Sequence, residues 1–121
     1  MPSLLEQLES NDPDLRREAV RGLRRARTPE AERALVSCLK DQSRGVREAA
    51  GEALAEVGSN VAIDALVSYL HSDSPGLRNG AIEVLIRLGR KAFGRVVELT
   101  RDPDPDVRKF AADILIMNST L

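Results

Sequence analysis

The chain has 121 residues, and its 18 Lys and Arg against 19 Asp and Glu give a formal net charge of −1. This length favours one domain, and so small a net charge gives no long-range attraction to nucleic acid or to an anionic membrane. With one Cys (Cys38) and one His (His71), the chain can form neither a disulfide framework nor a two-histidine metal site, and we expect no cofactor. We find no apolar run of membrane-spanning length and no signal peptide, so we expect a cytoplasmic protein.

The sequence repeats itself with a period of 31 residues. Between residues 11–40 and 42–71, nine of 30 aligned positions are identical. After Gly89 the period shortens to 30, which aligns Arg78 with Arg108. A fixed period of this length is typical of stacked repeats. We therefore predict one repeat domain over 1–121, with a half repeat at 1–10, repeats at 11–41, 42–72 and 73–102, and a half repeat at 103–121.

Each repeat has the pattern of two helices, which we call helix A and helix B. The A helices begin after the capping residues Asp12, Ser43, Ser74 and Asp104, three of which precede a Pro. Gly58 and Gly89 are predicted to end two of them in the left-handed conformation. The B helices are predicted to begin at Thr28, near Ser59 and near Lys91, and Leu4, Leu5 and Leu8 indicate one more before the first A helix. Because so short a unit cannot bury its own apolar stripe, we predict an all-α fold, a short right-handed α-solenoid.

Two segments carry a family resemblance. Residues 12–20, Asp-Pro-Asp-Leu-Arg-Arg-Glu-Ala-Val, and residues 104–112, Asp-Pro-Asp-Val-Arg-Lys-Phe-Ala-Ala, resemble the HEAT-like repeats of the phycobilisome-lyase type. The resemblance implies that Arg16, Arg47, Arg78 and Arg108 join neighbouring turns by pairing with acidic loop residues. The candidate partners are Asp12, Asp14, Asp41, Asp73, Asp104 and Asp106. A four-arginine track for an anion is the alternative.

The first A helix carries a dense group of arginines. Alone, this basic segment would suit nucleic acid or acidic lipid. The repeat register instead places Glu48, Glu52 and Glu56 opposite Arg17, Arg21 and Arg25 on the next A helix. We predict an opposite-charge ladder there, with Arg24 and Arg27 left unpaired, and a binding patch as the alternative.

We find no motif for catalysis. The glycines lack the Lys-Ser/Thr ending of a phosphate loop, and no nucleophile elbow is present. The register places Cys38 and His71 on neighbouring B helices, so a catalytic pair is conceivable. However, the position of Cys38 beside Leu39 and three residues after Leu35 favours a buried thiol, and we predict no catalytic residue.

The predicted binding surface is the concave wall formed by the B helices. The residues off its apolar stripe are Arg33, Ser37, Lys40, Asp64, Ser68, His71, Lys91, Glu98 and Arg101. Their mixed signs suit a protein or peptide better than a phosphate backbone, which favours an excess of Lys and Arg. The structural alternative for each residue is a solvated face.

The C-terminal helix has an apolar side that no following B helix covers. Phe110, Ile114, Ile116 and Met117 therefore form a possible association end, through which the chain could form a homo-oligomer. Taken together, the sequence favours a non-catalytic scaffold that binds a protein or peptide through its concave face or its ends. An enzyme subunit such as a bilin lyase, which the resemblance implies, and a nucleic-acid-binding solenoid stay open as alternatives. We expect no membrane partner.

Overall fold

The computed structural model describes residues 3–120, which are all-helical with short connecting turns and no strand. The helices are α1 (Leu4–Gln7), α2 (Pro13–Leu23), α3 (Pro29–Ser37), α4 (Arg44–Val57), α5 (Asn60–Tyr69), α6 (Pro75–Leu88), α7 (Phe93–Leu99) and α8 (Pro105–Thr120). A 3₁₀ turn, Cys38–Lys40, follows α3, and a second, Gly89–Ala92, precedes α7.

The helices alternate between two stacks. The A helices α2, α4, α6 and α8 pack one against the next, and the B helices α3, α5 and α7 form a parallel row beside them. Each B helix also packs against the A helix that follows it, beginning with α1 on α2. The predicted all-α solenoid is therefore confirmed.

Small residues allow the A helices to lie close together. Ala19, Ala50, Ala81 and Ala111 occupy one repeat position on four successive A helices, and all four are completely buried. Larger side chains fill the space between the two stacks, where Leu35, Leu54 and Leu66 are also completely buried. Burial of one such leucine contributes roughly 1.5–3 kcal/mol, so the seams between repeats form the hydrophobic core.

The helix ends largely follow the predicted capping chemistry. The Asp12 carboxylate accepts a hydrogen bond from the Asp14 N–H at 2.9 Å, and the Ser74 hydroxyl accepts one from the Leu77 N–H at 3.3 Å. Gly58 ends α4 in the left-handed conformation, as predicted, with φ 57° and ψ 34°. Gly89 differs, because its ψ is −120°, and the chain continues through the 3₁₀ turn before α7 begins.

The recurring arginines join the repeats, but mostly through main-chain acceptors. Arg16, Arg47, Arg78 and Arg108 each donate to the carbonyl oxygen six residues earlier, at distances of 2.7–2.8 Å. Only Arg16, within residues 3–120, also binds one of the predicted carboxylates, that of Asp41, with its Nε at 2.9 Å. Asp12 and Asp104 instead accept from nearby main-chain N–H groups, so the predicted acidic partners are wrong except for Asp41.

The ion pair with Arg16 keeps the Asp41 carboxyl group in its charged form. Partial burial alone would raise the Asp41 pKa, but the hydrogen bonds from the Arg16 guanidinium and the Ser43 N–H outweigh it and lower that pKa below its usual value. Because all four arginines are held by their own loops, we infer a structural role for them rather than an anion track.

Candidate protein-binding surface

The exposed side of the B helices, which we call the B face, carries all nine residues that the sequence predicts as contacts. Each of them is exposed in the structure. They are Arg33, Ser37 and Lys40 at α3; Asp64, Ser68 and His71 at α5; and Lys91, Glu98 and Arg101 at α7. Since the B helices pack side by side, these residues lie on three adjacent elements of one surface.

Arg95 is a further residue of the B face that the sequence analysis missed. Its guanidinium on α7 pairs with the Asp64 carboxylate on α5 and lies 3.7 Å from the Glu98 carboxylate. The repeat register aligns Arg95 with Ala34 and Ala65. An arginine at a repeat position that alanine occupies in the other two repeats was the sequence signal that could have revealed Arg95.

Several B-face groups already have partners within the chain. The Ser37 hydroxyl donates to the Arg33 carbonyl at 3.2 Å, and the Ser68 hydroxyl donates to the Ala65 carbonyl at 2.6 Å. The Lys40 ammonium lies 5.1 Å from the centroid of the Tyr69 ring, a cation–π distance. These contacts orient the polar side chains, which stay exposed to solvent.

The Cys38–His71 pair that the repeat register made conceivable does not form, in line with the expectation of a buried thiol. The His71 Nε2 atom lies 3.0 Å from an oxygen of Asp102, which belongs to the loop after α7. The Asp102 pKa is lowered by a hydrogen bond from the Asp104 N–H and, to a lesser extent, by His71. Cys38 is buried in the core, and this burial raises its pKa to about 11. Cys38 is therefore part of the hydrophobic core.

We expect the Cys38 thiol to react slowly in the folded protein. A pKa of about 11, against an ordinary value of 9.0, lowers the thiolate fraction near neutral pH roughly 100-fold, and the thiolate is the reactive form. Labelling with iodoacetamide, followed by mass spectrometry, should therefore be at least that much slower in buffer than in denaturant. Equal rates in the two conditions would contradict the buried position.

The opposite face carries a groove that the sequence analysis did not predict. It lies between α4 and α6, has a volume of about 480 Å³ and is lined by both charges. Gly51, Gly76 and Gly80 leave it open because they carry no side chains there. Its charged lining residues are Arg44, Arg47, Glu48, Glu52, Glu83 and Arg87.

None of the three predicted pairs of the charge ladder between α2 and α4 forms within residues 3–120, and a different pair joins the two helices. Arg24, which we expected to be unpaired, lies 3.3 Å from Glu56 across the two helices. Glu48 pairs with Arg44 on its own helix at 2.8 Å, and Arg17 pairs with Asp14 at 3.4 Å. Partners three or four residues away on one helix are closer than those on the next helix, so local pairs replace the predicted ones.

Of the four residues predicted for a C-terminal association end, two are exposed and two are not. Ile114 is completely buried, because it faces the preceding repeat, and it is therefore part of the core. Phe110 is half-buried, and its ring lies 5.5 Å from the Arg78 guanidinium. Ile116 and Met117 are exposed. A cavity of about 550 Å³ at this end is lined by Gly89, Arg90, Phe93, Leu115, Asn118 and Ser119.

Two further properties bear on function. Residues 3–120 contain no group of three or more His, Cys, Asp or Glu side chains placed to hold a metal ion. None of the helices in this part of the chain has the length and apolar character needed to cross a bilayer.

With the geometry established, the repeat can be compared with known families. Residues 1–86 match the family model for HEAT repeats. The chain belongs to the HEAT-repeat family. The resemblance inferred from the Asp-Pro-Asp segments is thereby confirmed. No curated protein sequence matches the chain significantly.

Solved structures extend the comparison to the whole HEAT-repeat chain. Human deoxyhypusine hydroxylase is similar with 27% identity and a TM-score of 0.64, over 98% of this chain and 43% of that one. An engineered protein is similar with 24% identity and a TM-score of 0.50, over 97% and 61%. The complex of CpcE and CpcF of phycocyanin lyase from Nostoc is similar with 19% identity and a TM-score of 0.51, over 98% and 64%. The chain therefore spans 43% to 64% of the length of these proteins.

Proposed function

We propose that this HEAT-repeat chain is a non-catalytic scaffold whose B face binds a segment of another protein. The observation that supports it is the exposure of all nine predicted contact residues on three adjacent, packed helices. Stacked repeats present extended surfaces of this kind, and function on a repeat fold depends on the residues at the surface.

The charges of the B face indicate the chemistry of the bound segment. With Arg95 included, the face has five cationic side chains, and Asp64 and Glu98 are its carboxylates. Both carboxylates lie beside Arg95 and are partly neutralised by it. The remaining cations, Arg33, Lys40 and Arg101 among them, suit a segment that carries Asp or Glu. Complementary charge of this kind increases the rate of encounter and the specificity.

The C-terminal helix provides a second surface for this scaffold function. Ile116 and Met117 are exposed on α8, and Leu115 of the same helix lines a cavity together with Phe93. Exposed apolar groups in one place are typical of protein association. We therefore include association through α8, with another protein or with a second copy, in the proposed function.

The similar enzymes do not change this proposal. The likeness to the lyase complex, at 19% identity, is a likeness of fold. The likeness to the hydroxylase covers 43% of that protein, so the activity of the whole enzyme does not indicate an activity for this chain. We propose no reaction for this chain.

A peptide-display selection tests the B face. We expect enriched peptides rich in Asp and Glu, whose Kd by fluorescence anisotropy rises at least tenfold in Arg95→Glu. Arg44→Glu is the matched control, because Arg44 is also an exposed arginine but lies on α4, and it should leave the Kd unchanged.

Two outcomes would count against this function. The first is enrichment of peptides whose binding is the same in Arg95→Glu and in the wild type. The second is binding to duplex DNA that exceeds peptide binding and weakens steeply with salt, which would favour a nucleic-acid-binding solenoid.

A further inference from the structure

The groove between α4 and α6, which we call the A groove, has a volume of about 480 Å³. Gly51 on α4 and Gly80 on α6 line it and contribute no side chains. In the neighbouring seams, the equivalent positions carry side chains. They are Val20 and Ala49 between α2 and α4, and Ile82 and Phe110 between α6 and α8. The A groove is therefore open where the same positions of the other two seams are filled.

The fold itself requires neither of these two glycines. Both lie inside helices, where glycine is less favourable than alanine, and neither has a positive φ. An added Cβ atom would meet no atom within 4 Å at Gly80, and at Gly51 it would lie 3.5 Å from Val84 Cγ2, an ordinary contact. Because backbone and packing would both accept alanine, the role that remains for the glycines is to keep the A groove open.

Two carboxylates that line the A groove have no partner within residues 3–120. Glu52 and Glu83 are exposed, occupy one repeat position on α4 and α6, and form neither a hydrogen bond nor an ion pair there. Axes of packed helices lie about 8–10 Å apart, so two long side chains at equivalent positions can reach the same cation. A cation between them would also offset the repulsion of two like charges.

Most of the cations that line the A groove already have partners. Arg44 pairs with Glu48 on its own helix at 2.8 Å. Arg47 donates to two carbonyl oxygens of the loop before α4, at 2.7 and 3.0 Å. Arg87, at the C-terminal end of the groove, has no partner in the described part of the chain. The groups left for a ligand are two carboxylates and one guanidinium, a balance that favours a cation.

We propose that the A groove binds an arginine side chain of a partner protein, with the guanidinium between Glu52 and Glu83 and above Gly51 and Gly80. A guanidinium is planar and donates paired hydrogen bonds to carboxylates. It therefore suits a flat floor between two carboxylates better than the compact ammonium group of lysine does. The A groove lies on the A helices, so this inference goes beyond the proposed function of the B face and does not depend on it.

A peptide-display selection with a depletion step tests the A groove. The library is first depleted on the double variant Glu52→Gln and Glu83→Gln, which removes peptides that bind elsewhere, and is then selected on the wild type. Both residues are exposed, so the double variant should keep the circular dichroism spectrum of the wild type. We expect the enriched peptides to share an arginine. Citrulline, its uncharged isostere, should raise the Kd about tenfold by fluorescence anisotropy.

Single variants of the chain locate the bound arginine. Gly80→Phe introduces the side chain that Phe110 carries at the equivalent position, and by filling the A groove it should raise the Kd about tenfold. Arg87→Gln removes a cation from the groove lining and should lower the Kd. Asp113→Asn is the matched control, because Asp113 is the exposed equivalent of Glu83 on α8 and lies outside the A groove. It should leave the Kd unchanged.

Several results would overturn this proposal. They are a depleted library from which no peptide is enriched, enriched peptides without a shared arginine, and a Kd that Gly80→Phe does not change. An equal rise of the Kd in Asp113→Asn would also overturn it, because the effect would then be one of overall charge. The acidic peptides selected for the B face should bind Gly80→Phe and the wild type equally, so the failure of one proposal is distinguishable from the failure of the other.

Discussion

Leu54→Ala is expected to lower the free energy of unfolding by about 2–5 kcal/mol. Leu54 lies on α4, in the middle of the array, and is completely buried. Truncation removes apolar contacts and leaves a cavity that packed helices on both sides prevent from collapsing. The loss should appear as a lower urea midpoint by circular dichroism at low protein concentration, with little change in the slope.

Leu115→Ala is the matched control for this prediction. Leu115 occupies the same repeat position on α8, but it is half-buried, because no further A helix packs against it within the described residues. In the isolated monomer, Leu115→Ala should therefore lower the free energy of unfolding by less than half as much as Leu54→Ala. Equal losses at the two positions would mean that the position in the array does not determine burial, contrary to the structure.

Gly58→Ala is expected to destabilise the protein by roughly 1–3 kcal/mol. Gly58 has a φ of 57° and a ψ of 34°, and this left-handed conformation is unfavourable for residues with a Cβ atom. The added Cβ would also lie 2.8 Å from Lys91 Cδ and 3.2 Å from Leu88 Cδ2, so these side chains would have to move. Urea unfolding measures the loss.

Gly76→Ala provides the comparison for Gly58. Gly76 lies within α6, and an added Cβ there would meet no atom within 4 Å. Since Ala loses less backbone freedom than Gly on folding, this variant should be more stable than the wild type by about 0.4–1 kcal/mol. A Gly58→Ala variant as stable as the wild type would show that the turn after α4 can adopt another conformation.

The sequence was sufficient to predict the helices, their order and most of the core. Periodic apolar residues predict burial because a helix that packs on both sides must place Leu54 and Ala50 in its seams, and both are buried. The conformation of Gly58 followed from its place at a helix end for the same local reason. Gly89 lies where the repeat becomes one residue shorter, and the period alone does not predict the backbone angles there.

The polar contacts were harder to predict than the core. Arg47 and Arg78 bind main-chain carbonyl oxygens, which every residue carries, so no side-chain pattern reveals them. Arg24 pairs with Glu56 although Arg25 was predicted to do so, because rotamers of long side chains, and not register alone, determine the pairs. The burial of Ile114 on α8 is different, because the register aligns it with the buried apolar residues Val84 and Ala53 and could have indicated it.

The arginine contacts between repeats also have a consequence for how such a chain can change in length. Each of the four arginines takes its acceptor from the loop just before its own helix. Each repeat thus supplies the arginine of one contact and the acceptor carbonyl of the next, so a repeat that is duplicated or deleted as a whole leaves every contact complete. Because the acceptors at Ser72 and Pro103 are main-chain oxygens, a substitution that keeps the backbone path keeps these arginine contacts, although replacing Ser72 removes the hydrogen bond that its hydroxyl accepts from the Ser74 N–H. The contacts between repeats therefore allow a chain of this kind to lengthen or shorten by whole repeats.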